Sequence, residues 1–224
     1  MTGSGRAAVL GLGLSGIAAA TALAEEGLAV RAADEGDPAV LAGRVGALQA
    51  LGVELQLGAV DVAWLLDGAG VLVPSPGVPP ANPAVRGARE RGIPVWSEIE
   101  LGWRFARGPV VAVTGTNGKT TTTTLVAAML GEAAIGAVAA GNIGTPLTEV
   151  ARRSAPGTVL VCEVSSFQLA FVETFRPRVA IVLNVADDHY DWHDGPGDYL
   201  AAKARVTAFQ QVGDLLVARA GDPG

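Results

Sequence analysis

The chain has 224 residues, half of them hydrophobic, enough to bury a substantial core in one large or two ordinary domains. Its formal net charge of -6, with no basic face evident, argues against nucleic acid as a main partner, and no apolar run reaches the roughly 18–20 residues that a membrane-spanning helix needs. The single cysteine, Cys162, excludes an internal disulfide and reads as a small buried hydrophobe. The opening "MTGSGRAAVLGLGLSG" reads as a strand and a turn, not a signal peptide, so a cytoplasmic protein is expected.

From the N-terminus, "AAVLGLG", "LAVRAAD", "VELQLG", "GVLVPS" and "IPVWS" predict short strands, with helical stretches such as residues 16–26 and 38–50 between them. This alternation marks a parallel sheet with crossover helices. Within it "GLGLSG", residues 11–16, follows a strand and opens a helix, and Asp34 ends the next strand eighteen residues beyond Gly16. The pattern fits the dinucleotide fingerprint, whose glycines admit a pyrophosphate while the acid holds a ribose. It specifies a nucleotide diphosphate group better than it specifies NAD. "PSPGVPP", residues 74–80, ends "GVLV" on the same side of the sheet, where Ser75 and Gly77 either clamp a phosphate or form a rigid turn.

A second series begins near residue 108 with "PVVAVTG", then "GAVAAG", "TVLVCEVS", "RVAIVLN" and "DLLVA". Two α/β domains in succession are therefore expected. Residues 1–97 form a Rossmann-like domain and residues 98–224 a P-loop-type parallel α/β domain, joined around residues 96–100. The chain stops at "ARAGDPG" just after a strand, with no closing helix, as a domain incomplete at its C-terminus would.

The strand at 110–113 runs into "GTNGKT", and Lys119 starts a helix carrying Leu125, Val126, Met129 and Leu130. Strand, glycine loop and helix N-terminus together make an anion site, because unpaired N–H groups and the helix dipole point at one place. Lys119 suits terminal phosphates and Thr120 suits Mg²⁺; Val113 stands where the full phosphate-loop pattern has a glycine, so the loop is a short variant. Five threonines, Thr120 to Thr124, open this helix although β-branched residues are poor helix formers. Near an N-terminus their hydroxyls can satisfy free N–H groups, and Thr121 can assist at the phosphates. "TVLVCE" ends in Glu163, as a neighbouring strand offers a carboxylate to Mg²⁺ beside such a loop. "NVADDHYDWH", residues 184–193, follows another apolar strand; His189 is a candidate metal ligand and His193 is read as surface. The 16 basic residues include only two lysines, Lys119 and Lys203, which suggests that an amine is needed at both.

In order along the chain, "GLGLSG", "SPGV", "GTNGKT", "GNIG" (residues 141–144), "EVSSFQL" (163–169), "NVADDH" and "YLAAKARV" (199–206) resemble the Mur ligases over almost the whole chain. "SSFQL" together with "GLGLSG" favours the members that add D-glutamate. The resemblance implies an ATP-driven, ADP-forming ligation in cytoplasmic peptidoglycan precursor synthesis. ATP phosphorylates the carboxylate of UDP-N-acetylmuramoyl-L-alanine, the D-glutamate amine attacks the acyl phosphate, and phosphate leaves a new amide. It further implies that Gly115, Thr116, Asn117, Gly118, Lys119, Thr120 and Thr121 hold ATP, and that Thr120 and Glu163 hold one Mg²⁺. His189 and a carbamylated Lys203 would serve a second Mg²⁺, since a neutral amine can add CO₂ and arginine cannot. Gly13, Leu14, Ser15, Asp34, Ser75 and Gly77 match positions that bind the UDP part, and Asn142, Ser165, Gln168 and His189 match further substrate or phosphate positions. After Asp34 the family pattern has a polar and a basic residue where this chain has Glu35 and Gly36. The family's third domain is expected to be missing, so the chain alone is expected to be inactive; it is also expected to be a monomer. Other readings are another Mur ligase, a folylpolyglutamate-synthase-like amide ligase, an NAD-dependent oxidoreductase, or a nucleotide-binding regulatory module.

Overall fold

The computed structural model describes residues 5–186, 192–193 and 195–220. The chain divides into two compact units, Met1–Glu98 and Ile99–Gly224. Each is built on its own parallel sheet.

In the first unit the elements alternate as the apolar runs demand: β1 (Arg6–Leu10), α1 (Leu14–Glu25), β2 (Ala29–Asp34), α2 (Pro38–Ala50), β3 (Glu54–Leu57), α3 (Val62–Leu66), β4 (Ala69–Pro74) and α4 (Pro83–Glu90). The strand order is β3-β2-β1-β4, with Ala8 opposite Arg31 on one side and Leu72 on the other. Ala7 to Leu10 are all buried, as in a strand covered on both faces. Capping residues set where three helices begin. Asp37, Asp61 and Asn82 each accept a backbone N–H two residues on, and Pro38 and Pro83 occupy the first turn, where a missing N–H costs nothing.

"IPVWS", expected as a strand, makes only a single bridge between Val95 and Leu72. The Leu72 N–H donates to the Pro94 carbonyl and the Trp96 N–H to the Leu72 carbonyl, each at 2.9 Å. Pro94 has no N–H to extend the ladder, and α5 (Glu98–Phe105) begins two residues after Trp96.

The second unit continues with β5 (Val110–Thr114), α6 (Lys119–Glu132), β6 (Ala137–Gly141), α7 (Leu147–Arg153), β7 (Val159–Glu163), α8 (Ser166–Leu169), β8 (Val179–Val182), α9 (Pro196–Ala204) and β9 (Leu215–Ala218). Its strand order, β6-β7-β5-β8-β9, puts β5 between β7 and β8. Ala112 faces Cys162 on one neighbour and Ala180 on the other, and small side chains here let Ile99, Leu147, Leu160, Phe175 and Val206 fill the core. Cys162 is fully buried within it.

Glu100, in the predicted junction, has a fully buried carboxylate. It accepts the backbone N–H groups of Glu173, Thr174 and Phe175 at 2.9–3.0 Å, the Thr174 hydroxyl at 2.6 Å and the Arg104 Nε–H at 2.9 Å. A buried charge this well satisfied ties α5 to the turn that precedes β8.

Candidate nucleotide and metal site

Parallel strands present all their C-terminal ends on one edge, and the chemistry-bearing side chains of the second unit gather there. Gly115 follows β5, Asn142 follows β6, Glu163 ends β7 and Asn184 follows β8. Gly115 adopts φ 150°, and a Cβ there would lie 3.1 Å from the Leu183 Cβ, so glycine lets the loop cross the end of β8. The loop is then clamped by Asn184. Its carboxamide oxygen accepts the N–H groups of Thr116 and Asn117 at 3.1 and 2.9 Å, and its Nδ2 donates to the Asn117 carbonyl.

Gly118, at φ 83°, turns the chain into α6, whose N-terminus is capped by no side chain. Donors and helix dipole are thereby left for an anion. Lys119 lies at this point, its amine donating to the Thr116 carbonyl at 2.9 Å. The Thr120 hydroxyl donates to Glu163 Oε2 at 2.7 Å, while Asn142 Nδ2 donates to Glu163 Oε1 at 3.1 Å. Glu163 is 3% exposed, so these two donors hold a nearly buried carboxylate at the mouth of the loop. Carboxylate and hydroxyl oxygens are hard donors suited to Mg²⁺, and the open helix N-terminus suits phosphate. Among the described residues no group of three His, Cys, Asp or Glu is placed to hold a metal, and His189 lies outside the described residues.

The threonine run serves differently from the expected capping of N–H groups. Thr120 addresses Glu163, the Thr124 hydroxyl donates back to the Thr120 carbonyl, and Thr123 is buried with its hydroxyl unpartnered. Lys203, on α9, is 3% exposed; its amine donates to the Gly115 carbonyl at 2.8 Å and lies 4.6 Å from the centre of the Tyr199 ring. The Tyr199 hydroxyl is in turn 3.0 Å from Thr116 Oγ1.

A family model described as the Mur ligase middle domain matches residues 113–224, half of the chain, and one described as the Mur ligase MurD-like N-terminal domain matches residues 5–97. The chain belongs to the Mur ligase family. Among its relatives are proteins named UDP-N-acetylmuramoylalanine–D-glutamate ligase from Pelotomaculum thermopropionicum, 46% identical over 96% of this chain and 47% of that protein, and from Anaeromyxobacter dehalogenans, 48% identical over 97% and 47%. The chain therefore spans about half the length of the curated relatives it matches. The fold is shared with the UDP-N-acetylmuramate:L-alanyl-gamma-D-glutamyl-meso-diaminopimelate ligase of Neisseria meningitides, at TM-score 0.61 and 20% identity over 99% of this chain and 73% of that one. It is shared also with the UDP-N-acetylmuramate-alanine ligase MurC of Thermotoga maritima, at TM-score 0.56 and 21% identity over 97% and 50%.

In the first unit of this Mur ligase chain, the glycine turn is fixed by the residues that were matched to UDP binding. Asp34 accepts the Leu12 N–H at 2.5 Å and the Gly36 N–H at 2.7 Å, and the Ser75 hydroxyl donates to the Gly11 carbonyl at 3.0 Å. Gly36 thus has a local task as a donor to Asp34. A Cβ on Gly16 would lie 1.8 Å from the Gly11 carbonyl oxygen, whereas one on Gly13 or Gly77 would meet nothing within 4 Å. Gly13 precedes α1 with no side-chain cap, and Leu14 is exposed. Glycine is needed at 16 for helix–strand packing, while Gly13 leaves open space at a helix N-terminus.

His193, read as surface from the sequence, is 3% exposed. The correction follows from its neighbours: it packs among Phe167, Trp192 and Tyr199, with ring centroids 4.6–5.7 Å away. Two functional elements escaped the sequence reading. Asn184 lies in a polar cluster whose sequence gives no sign of its task, and Tyr199 carries no local signal before α9 is docked. A cavity of about 200 Å³ lies at the opposite strand ends, lined by Trp103, Gly108, Pro109, Val110, Arg176, Arg178 and Asp214. There the Arg176 and Arg178 guanidiniums both bond the Asp214 carboxylate.

Proposed function

We propose that this chain supplies the UDP-substrate-binding and ATP-binding parts of a ligase that joins D-glutamate to UDP-N-acetylmuramoyl-L-alanine, forming ADP and phosphate, in cytoplasmic peptidoglycan precursor synthesis. The Mur ligase membership and the names of the relatives support the reaction class. The observation that carries the reading is the Glu163 carboxylate held between Thr120 and Asn142 beside the open N-terminus of α6.

Under this reading the domains are residues 1–97 for the UDP substrate and 98–224 for ATP. The N–H groups of Gly118 and of the first turn of α6, with Lys119 and Thr121, grip the β and γ phosphates, while Thr116 and Asn117, clamped by Asn184, shape the loop around them. Lys119 offers its charge once its bond to the Thr116 carbonyl is exchanged for phosphate. Thr120 and Glu163 hold one Mg²⁺, and His189 with a carbamylated Lys203 serves a second. Bound Mg²⁺ would neutralise phosphate charge and polarise the transferred phosphoryl group. Asn142, Ser165 and Gln168 contact the substrate or its phosphate. Gly13, Leu14, Ser15, Asp34, Ser75 and Gly77 hold the UDP moiety at the first glycine turn.

The test of the ATP assignment is calorimetric titration of the chain with a non-hydrolysable ATP analogue, with and without Mg²⁺. Binding strengthened by Mg²⁺ and lost in Lys119→Ala is expected. Equal binding by Lys119→Ala would overturn it.

A further inference from the structure

His193 links two segments that bear on the site. Its Nε2 lies 2.9 Å from Ser166 Oγ, at the first position of α8, and its Nδ1 lies 2.9 Å from Asp198 Oδ2, in the first turn of α9. Ser, His and Asp in this sequence of bonds have the connectivity of a hydrolytic triad. Ser166 and His193 are 2% and 3% exposed, however, so no solvent-borne substrate reaches the hydroxyl. The array works on the protein itself.

An ionised carboxylate only accepts, so Asp198 takes the Nδ1–H and fixes the ring as the Nδ1–H tautomer. Nε2 is then the acceptor, and the Ser166 hydroxyl donates to it. That orientation fixes the start of α8, where Ser165 and Gln168 form a reciprocal capping box. The residue after Asp198 is Tyr199, which reaches the phosphate loop at Thr116. One turn of α9 therefore touches both halves of the candidate site.

We propose that Asp198, His193 and Ser166 form a positioning relay that holds the 165–168 turn in register with the phosphate loop and thereby sets the affinity for the UDP-linked substrate. The relay rests on the function proposed above. None of its three members touches substrate; each acts through Ser165 and Gln168.

Two measurements on the whole chain test it. The first is the ¹⁵N spectrum of histidine-labelled protein in mildly alkaline buffer, where only two histidines contribute. The Nδ1–H tautomer of His193 is expected, and the Nε2–H tautomer instead would overturn the relay. The second is titration with UDP-N-acetylmuramoyl-L-alanine, beside a non-hydrolysable ATP analogue with Mg²⁺. Ser166→Ala and His193→Asn, which keeps only the Asp198 side, should weaken the UDP compound roughly three- to tenfold, the scale of one lost hydrogen bond, and leave the ATP analogue unchanged. His193→Gln, whose amide reaches Ser166, should recover most of the loss. Unchanged affinity in all variants, or His193→Gln as weak as His193→Asn, would overturn the relay while leaving the function standing. Wild-type chain that binds neither ligand would overturn the function, and with it the relay's effect on affinity.

Discussion

The Thr120 hydroxyl donates to the Glu163 carboxylate across the gap between α6 and β7, at 2.7 Å. The two residues are 43 positions apart in the chain, and parallel pairing of β5 with β7 brings them together. Glu163→Gln keeps the shape of this pair and removes its charge. The variant should cost about 1 kcal/mol of stability, because the carboxamide offers one oxygen in place of two and one of the two donors is left facing its NH₂ group. It should also abolish the strengthening of nucleotide binding by Mg²⁺, read by titrating a non-hydrolysable ATP analogue at several Mg²⁺ concentrations. A Mg²⁺ response equal to wild type would remove Glu163 from the metal site.

Gly16 and Gly13 separate packing from binding in the first unit. Gly16→Ala drives a Cβ against the Gly11 carbonyl, a backbone atom that cannot turn aside. A loss of about 2–4 kcal/mol is expected, measured from urea unfolding midpoints. Gly13 has φ -72° and open space around it, so Gly13→Ala should change stability by less than about 1 kcal/mol while weakening the UDP-linked ligand. Equal destabilisation by the two substitutions would contradict the assignment of their roles.

Asp214 gives the fold an acid-sensitive tie. The Arg176 side chain, then the Gln211 N–H, then Arg178 hold its carboxyl well below the usual carboxylate range. The folded pKa lies below the unfolded one, so the stabilisation is fully present above the unfolded value of about 3.9 and is lost as pH falls from there through the folded pKa. Melting temperature measured against pH should fall less steeply on the acid side in Asp214→Asn than in wild type. Superimposable acid limbs would show that the tie contributes nothing.

Lys203 should take up CO₂. Chain equilibrated with ¹³C-bicarbonate is expected to show a carbamate carbon signal that is absent in Lys203→Arg. A signal that survives in Lys203→Arg, or no signal in wild type, would contradict the carbamate.

How much of this was legible depended on how local each cause is. The strands of both units announce themselves as apolar runs, and "GTNGKT" and "GLGLSG" name their chemistry because a glycine turn before a helix is a local device. Glu163 was readable only as the polar end of an apolar strand, its partner Thr120 being set by strand order. Glu100 looked like part of a linker, since its ligands, the N–H groups of Glu173 to Phe175, arrive from more than seventy residues away. His193 sits in an acidic, polar stretch that reads as surface, and only the docking of Phe167 and Tyr199 buries it. "IPVWS" has a strand's composition, but one proline and a nearby helix start limit it to a bridge.

The most direct test of the central claim is a calorimetric titration of the chain with UDP-N-acetylmuramoyl-L-alanine, with NAD as a parallel ligand. Both compounds carry a diphosphate suited to the turn at residues 11–16, so the comparison isolates which nucleotide the first unit selects. Binding of the UDP compound with no binding of NAD is the predicted result. Binding of NAD and not of the UDP compound would contradict the account.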